Sequence, residues 1–173
     1  ARDRSAHVEA VSHCTTGIEL PQTLPETPAH THHALTLWIA LAAALLMTKG
    51  QAAPEVEHAY TQARALCQQV GETPELVPVL YGLHRFYTGR LQLHTAREID
   101  ETLLRLAQRT DDPALTVMAH SSLGNTQLFL GALPAARLHL EEAIARSTPD
   151  QRRALVFPVS QDPGIRCRIS AAL

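Results

Sequence analysis

Residues 121–145 decide the fold, and they read Ser-Ser-Leu-Gly-Asn-Thr-Gln-Leu-Phe-Leu-Gly-Ala-Leu-Pro-Ala-Ala-Arg-Leu-His-Leu-Glu-Glu-Ala-Ile-Ala. Small residues stand at fixed offsets in this stretch, since Gly131 follows Gly124 by seven residues and Ala136 follows Gly131 by five. Leu140 then continues the series at helical spacing. The pattern predicts two antiparallel helices joined by a turn at Gly131, with small residues where the helices approach each other closely.

Two series of small residues recur along the chain with spacings of 39 and 42 residues. Their members are Ala43, Gly82 and Gly124 in one series, and Gly50, Gly89 and Gly131 in the other. A repeating unit of about 40 residues predicts an all-α fold, an α-solenoid of antiparallel helix hairpins. The offsets slip in the third unit, because Ala96 follows Gly89 by seven residues and Asp100 stands where Leu140 stands in the next unit.

Capping residues, prolines and glycines predict where each helix begins and ends. We expect helices at 4–20, 28–48, 54–70, 76–88, 93–109, from 113 onward and at 134–146. Thr27, Thr73 and Asp112 each precede a proline and are expected to cap the helix that follows. The single helical-repeat domain 1–173 then comprises a partial unit at 1–25, full hairpins at 26–72, 73–111 and 112–148, and a loop with a truncated next unit at 149–173.

Composition and charge favour a soluble globular chain. The formal net charge is −2, the pI is about 6.6 and the basic residues are scattered, so neither nucleic acid nor a membrane is an expected partner. The apolar run at 34–47 is shorter than the ~20 residues that span a bilayer. Cys14, Cys67 and Cys167 are far apart, which predicts free thiols in the cytoplasm. Because the chain opens without Met and ends inside an expected helix, we expect it to be part of a longer polypeptide.

Several segments resemble the long-repeat tetratricopeptide region of large bacterial signalling proteins. These segments are residues 4–7, 17–20, 48–57, 66–74 and 161–164. In that family a predicted ATPase, often with a class III adenylate or guanylate cyclase domain, precedes the repeats. The resemblance therefore implies a non-catalytic interaction or regulatory domain of a larger protein. No Gly-x-x-x-x-Gly-Lys-Ser/Thr phosphate loop occurs and no cyclase metal-binding aspartates can be assigned, so we expect no catalytic residues and no cofactor.

The resemblance also implies a binding surface, because the first helices of tetratricopeptide hairpins line the inner groove of the solenoid. The groove residues that it implies are Ser121, Asn125 and Leu128 in one unit, and Val79, Leu83 and Phe86 one unit earlier. We expect a protein or peptide partner there, or a neighbouring domain of the same chain. Two alternatives stay open: these side chains pack between repeats, or the groove senses a small ligand that controls the output of the parent protein.

Other candidate sites compete with structural roles. His30, His32 and His33 could bind a metal, but no Cys or carboxylate completes a four-ligand set, so we predict a polar helix start and no metal site. Four aromatic residues could line a ligand slot but are expected mainly in the core, namely Trp38, Phe86, Tyr87 and Phe129. Residues 165–173 carry an apolar stripe with no covering helix, which predicts self-association or fraying through an uncapped C-terminal repeat.

Overall fold

A computed structural model describes residues 2–19, 27–70 and 75–147, and every regular element within these residues is an α-helix. The helices are α1 (Arg2–Glu19), α2 (Pro28–Lys49), α3 (Pro54–Val70), α4 (Leu76–Gly89), α5 (Leu93–Thr110), α6 (Pro113–Phe129) and α7 (Leu133–Arg146). The all-α prediction is confirmed for this part of the chain, and the helix bounds agree with the expected ones within about two residues. The predictions for Thr73 and for 149–173 lie outside the described residues.

The predicted caps explain where two of the helices begin. The Thr27 hydroxyl accepts a hydrogen bond from the His30 amide at 3.3 Å at the start of α2. The Asp112 carboxylate accepts hydrogen bonds from the amides of Ala114 and Leu115 at 2.8 and 3.2 Å at the start of α6. These bonds satisfy amides that the first turn of a helix leaves without an intrahelical partner, so α2 and α6 each begin at a defined residue.

The chain divides into two compact units, Ala1–Arg90 and Leu91–Leu173, which are called unit 1 and unit 2 below. The boundary falls inside the segment 73–111, so the pairing of α4 with α5 in one hairpin stays a prediction. In unit 1, α2 packs against α1 and α3, and α3 packs against α4. The Tyr60 ring packs directly against Gly82 and leaves no room there for a Cβ atom. The Tyr87 hydroxyl donates a hydrogen bond to Glu57 at 3.0 Å.

In unit 2, α6 packs against both α5 and α7. A Cβ atom added to Gly124 would lie 2.8 Å from Leu140 Cγ and 3.2 Å from the carbonyl oxygen of Ala136. The close approach predicted for this glycine is therefore confirmed. On the α5 side, the Thr126 hydroxyl donates a hydrogen bond to Asp100 Oδ2 at 2.6 Å, and both side chains are fully buried. Unit 2 thus combines one close apolar crossing with one buried polar contact.

Buried positions recur at a spacing of 40 residues along α3, α5 and α7. The equivalent sets, all buried, are Val56, Ala96 and Ala136; Tyr60, Asp100 and Leu140; and Ala63, Leu103 and Ala143. The first set is small in all three helices, whereas the third set has Leu103 between two alanines. In the second set, Asp100 brings a polar group to a position that is aromatic or aliphatic in the other two helices.

The apparent slip of the third unit has a cause in the backbone. Gly131 has φ +77° and Leu91 has φ +58°, and each stands five residues before the buried alanine of the following helix. The alignment of Gly89 with Gly131 is therefore wrong, because Leu91 takes the turn position. Gly89 ends α4, and a Cβ atom added to it would lie 2.8 Å from Gln51 Nε2.

Replacing Leu91 with glycine should raise the free energy of unfolding by about 1 kcal/mol, since a left-handed conformation costs an L-residue roughly 1–2 kcal/mol. The Leu91 side chain is 77% exposed, so its removal sacrifices little packing. Urea denaturation measures the change. The reciprocal control is Gly131→Ala, which should lower stability by a similar amount because φ is positive there as well. An unchanged or lower stability of Leu91→Gly would contradict the turn assignment.

Candidate functional site

The structure buries most of the predicted groove residues. Val79, Leu83 and Phe86 are at most 1% exposed. Ser121 and Asn125 are 6% and 5% exposed, and the Asn125 amide donates a hydrogen bond to the Ser121 carbonyl at 2.7 Å. Leu128 is half-buried. These positions favour the packing alternative for all but Leu128, and their role in binding a partner stays a prediction.

An open apolar cleft lies in unit 1, between α1 and α3, with α2 as its floor. Its volume is about 450 Å³. The lining residues are Val11 and Thr15 of α1, Trp38, Leu41 and Leu45 of α2, and Pro54, Glu55 and His58 of α3. We call this feature the Trp38 cleft. It is a concave, mostly apolar surface with a few polar groups, which is the usual character of a small-molecule site.

The polar groups of the Trp38 cleft lie on its rim. The exposed His58 ring meets the half-buried Trp38 ring edge-on, with centroids 5.5 Å apart. The Thr15 hydroxyl donates a hydrogen bond to the Val11 carbonyl of its own helix at 2.8 Å. Glu55 forms an ion pair with Lys49, whose ammonium group also donates a hydrogen bond to the Glu55 carboxylate. This hydrogen bond lowers the pKa of the Glu55 carboxyl. The acidic group of the rim therefore already has a cationic partner.

Sequence reasoning identified only part of this site. Trp38 belonged to the aromatic residues considered for a ligand slot, and the structure places it in the cleft. Of the others, Phe86 is buried, Tyr87 is half-buried and bonded to Glu57, and Phe129 is 60% exposed. The contributions of α1 and α3 were missed because they come from separate helices. The apolar stripe of α1 was the one available signal, since an amphipathic helix must cover a neighbouring surface.

His120 of α6 and His139 of α7 meet in unit 2, a pairing that no sequence pattern indicates. Their Nδ1 atoms are 2.9 Å apart, so one nitrogen must donate and the other accept a single shared proton. Burial lowers the pKa of both imidazoles, and the charge of His139 lowers the pKa of His120 further. Glu142 opposes both shifts, while Arg146 adds to the lowering at His120.

We expect the stability of the chain to fall at acid pH because of this pair. Since both pKa values are lowered, the folded chain binds fewer protons than the unfolded chain. The stabilisation is complete above the ordinary histidine pKa of about 6.5 and is lost as the pH falls through the lowered folded-state values. Urea melts should show a lower free energy of unfolding at about pH 5 than at about pH 7.5, and His139→Gln should reduce the difference.

His94→Gln is the matched control for that experiment, because His94 is exposed on α5. It should keep the pH dependence of the unmodified chain. If the three proteins lost stability equally on acidification, the His120–His139 pair would not be its source.

The three clustered histidines of α2 do not converge with other ligands. His32 and His33 are exposed, and His32 Nε2 lies 3.9 Å from Glu75 Oε1. Within residues 2–19, 27–70 and 75–147, no three His, Cys, Asp or Glu side chains are grouped so that they could bind a metal ion. The described part of the chain therefore offers no ligand set that resembles a structural metal site.

Helix α2 is longer than the apolar run that it contains. By length and composition alone, Ala29–Lys49 could cross a membrane, and it is the single such span among the described residues. The run at 34–47 predicted no span because the start of the helix was not counted with it. The core helix of a soluble protein passes the same test of length and composition.

A scan against protein-family models gives no match, and a search of curated proteins gives none either.

Proposed function

We propose that this chain is a non-catalytic helical-repeat domain, a tetratricopeptide-like α-solenoid that binds a partner protein or peptide within a larger signalling protein. The observation that carries the proposal is the recurrence of buried positions at a spacing of 40 residues in α3, α5 and α7. Helix hairpins of this kind obtain their burial from their neighbours and leave long faces for recognition. The parent protein that the sequence resembles is a bacterial ATPase, often with a cyclase domain, and a cytoplasmic location belongs to the same proposal.

The exposed apolar residues of unit 2 support a binding role. Phe129, Leu133 and Leu138 are 60%, 59% and 64% exposed. Contact with a partner would remove these side chains from water, which is favourable for apolar surface. Because five of the six predicted groove residues are buried, these exposed positions are the better candidates for contact with a partner.

Affinity capture with the chain as bait tests the proposal. The matched bait is Gly124→Leu, which should disturb the α6–α7 crossing without changing the exposed residues. Proteins that bind the folded chain should be retained by the unmodified bait and lost from the variant. An identical set of retained proteins on both baits would mean that the α6–α7 crossing plays no part in their capture, and the proposed binding role of unit 2 would fail.

The second candidate function is sensing of a small ligand, and the Trp38 cleft is the observation that favours it. Its volume lies in the range of about 300–1,000 Å³ that is typical of small-molecule sites. A ligand held against three helices of unit 1 would stabilise their packing, because any molecule that binds the folded state alone does so.

A further inference from the structure

The size of the Trp38 cleft favours a small molecule over a helix of a partner protein. A helix has a diameter of about 10 Å and rises 1.5 Å per residue, so three turns of a partner helix occupy roughly 1,300 Å³. The cleft, at about 450 Å³, holds only a small part of such a helix. A compact molecule of a few rings fits it as a whole.

The lining decides the polarity of the occupant. Val11, Trp38, Leu41, Leu45 and Pro54 supply most of the surface, and among the described residues that line it none is Lys or Arg. Burying a charge against such a surface without a partner carries a large desolvation penalty. The one acidic group of the rim is already engaged by a lysine. The cleft therefore selects against charged molecules.

Two groups on the rim can bind one polar group of the occupant. The exposed His58 imidazole can donate or accept a hydrogen bond, depending on its tautomer. The Thr15 hydroxyl uses its proton on the Val11 carbonyl and keeps lone pairs that can accept. Both residues belong to the lining, whereas Leu41 and Leu45 are buried in the floor. An occupant would thus place its apolar body on the floor and its polar group at the mouth.

We infer that the Trp38 cleft binds an uncharged, compact hydrophobic molecule, alicyclic or aromatic, that carries a single polar group. This inference rests on the ligand-sensing candidate of the proposed function and is independent of partner binding by unit 2.

A matched pair of probes tests the class of ligand. N-phenyl-1-naphthylamine is uncharged, and its 8-sulfonate has the same rings with one negative charge. Trp38 is the single tryptophan of the chain, so quenching of its emission reports the titration. The uncharged probe should bind saturably at one molecule per chain and about tenfold more tightly than the sulfonate, a difference of about 1.4 kcal/mol. Equal affinities would overturn the predicted selectivity, and unsaturable binding would overturn the site.

Two adjacent threonines provide a matched pair of variants. Thr15 and Thr16 are both exposed on α1, and each donates its hydroxyl to the carbonyl four residues earlier, at 2.8 and 3.0 Å. Thr15 lines the cleft and Thr16 does not. Thr15→Phe should fill the cleft and weaken binding of the uncharged probe by about tenfold, whereas Thr16→Phe should leave it within about twofold. An equal loss in both variants would place the probe elsewhere.

A measurement on the unmodified chain covers the case in which Thr15→Phe does not fold. Adamantan-1-ol belongs to the proposed class of ligand and does not absorb light at the wavelengths that excite tryptophan. When it occupies the cleft, it should shield the half-buried Trp38 ring from acrylamide and lower the quenching constant saturably. Unchanged quenching would contradict the inference. This test reports on unit 1, whereas the capture experiment disturbs unit 2. A negative result for ligand binding in the cleft therefore leaves the proposed partner binding untouched, and the reverse holds as well.

Discussion

Replacing Gly124 with leucine should lower the free energy of unfolding by about 1–3 kcal/mol, the usual loss when a close-packed site is overfilled. Even the first added atom would lie 2.8 Å from Leu140 Cγ and 3.2 Å from the Ala136 carbonyl oxygen. The Leu140 side chain could adopt another rotamer. The Ala136 carbonyl cannot move in this way, because it belongs to the backbone of α7. Urea denaturation followed by circular dichroism measures the loss.

A double-mutant cycle serves as the control for this prediction. Leu140→Ala alone should destabilise the chain, because a buried leucine lost to alanine typically costs about 2–5 kcal/mol. The double variant Gly124→Ala/Leu140→Ala should lose less unfolding free energy than the two single variants lose together. The methyl group added at position 124 then occupies the space that the Leu140 side chain vacates. Strictly additive losses would mean that the two residues are not in contact.

Replacing Thr126 with valine should lower the free energy of unfolding by about 1–3 kcal/mol, the usual cost of removing one partner of a buried hydrogen bond. The substitution keeps the shape of the side chain and removes the hydroxyl that donates to Asp100 Oδ2 at 2.6 Å. Both residues are fully buried, so water cannot readily replace the lost donor. Thermal and urea melts give the magnitude.

Thr116→Val is the matched control on the same helix. Its hydroxyl donates to the Asp112 carbonyl at 2.8 Å in an exposed position, so the change should stay within about 0.5 kcal/mol. Asp100→Leu added to Thr126→Val should recover part of the loss, because leucine is the residue at the equivalent position in α7. Equal losses of unfolding free energy in Thr116→Val and Thr126→Val would show that the buried hydrogen bond contributes no more to stability than the exposed one.

The helices could be predicted from sequence because the signals that set them are local. Thr27 and Asp112 cap the helices that follow, and a proline stands in the first turn of each of these helices. Gly124 could be assigned to a close crossing for the same reason, since its partner Leu140 lies in the next helix along the chain. The spacing also placed Asp100 at the position of Leu140.

What the sequence could not predict depends on contacts between distant residues. The Trp38 cleft draws on three helices, and neither the periodicity of α1 nor that of α3 shows that they leave a gap over α2. The third unit was misaligned because glycine was expected at a turn where the exposed Leu91 adopts a positive φ. The histidine pair is a similar case, since two residues 19 apart meet only once α6 packs on α7.

We propose that this chain acts by binding and that its helical fold makes the binding possible. Calorimetric titration of the purified chain with a protein retained in the capture experiment tests it most directly, with Gly124→Leu as the second sample and nucleotide turnover recorded in parallel. We predict saturable binding by the unmodified chain, marked weakening in Gly124→Leu, and no hydrolysis of ATP or GTP by either. Turnover of nucleotide by the chain, or binding that is equally strong when unit 2 is disrupted, would contradict the account.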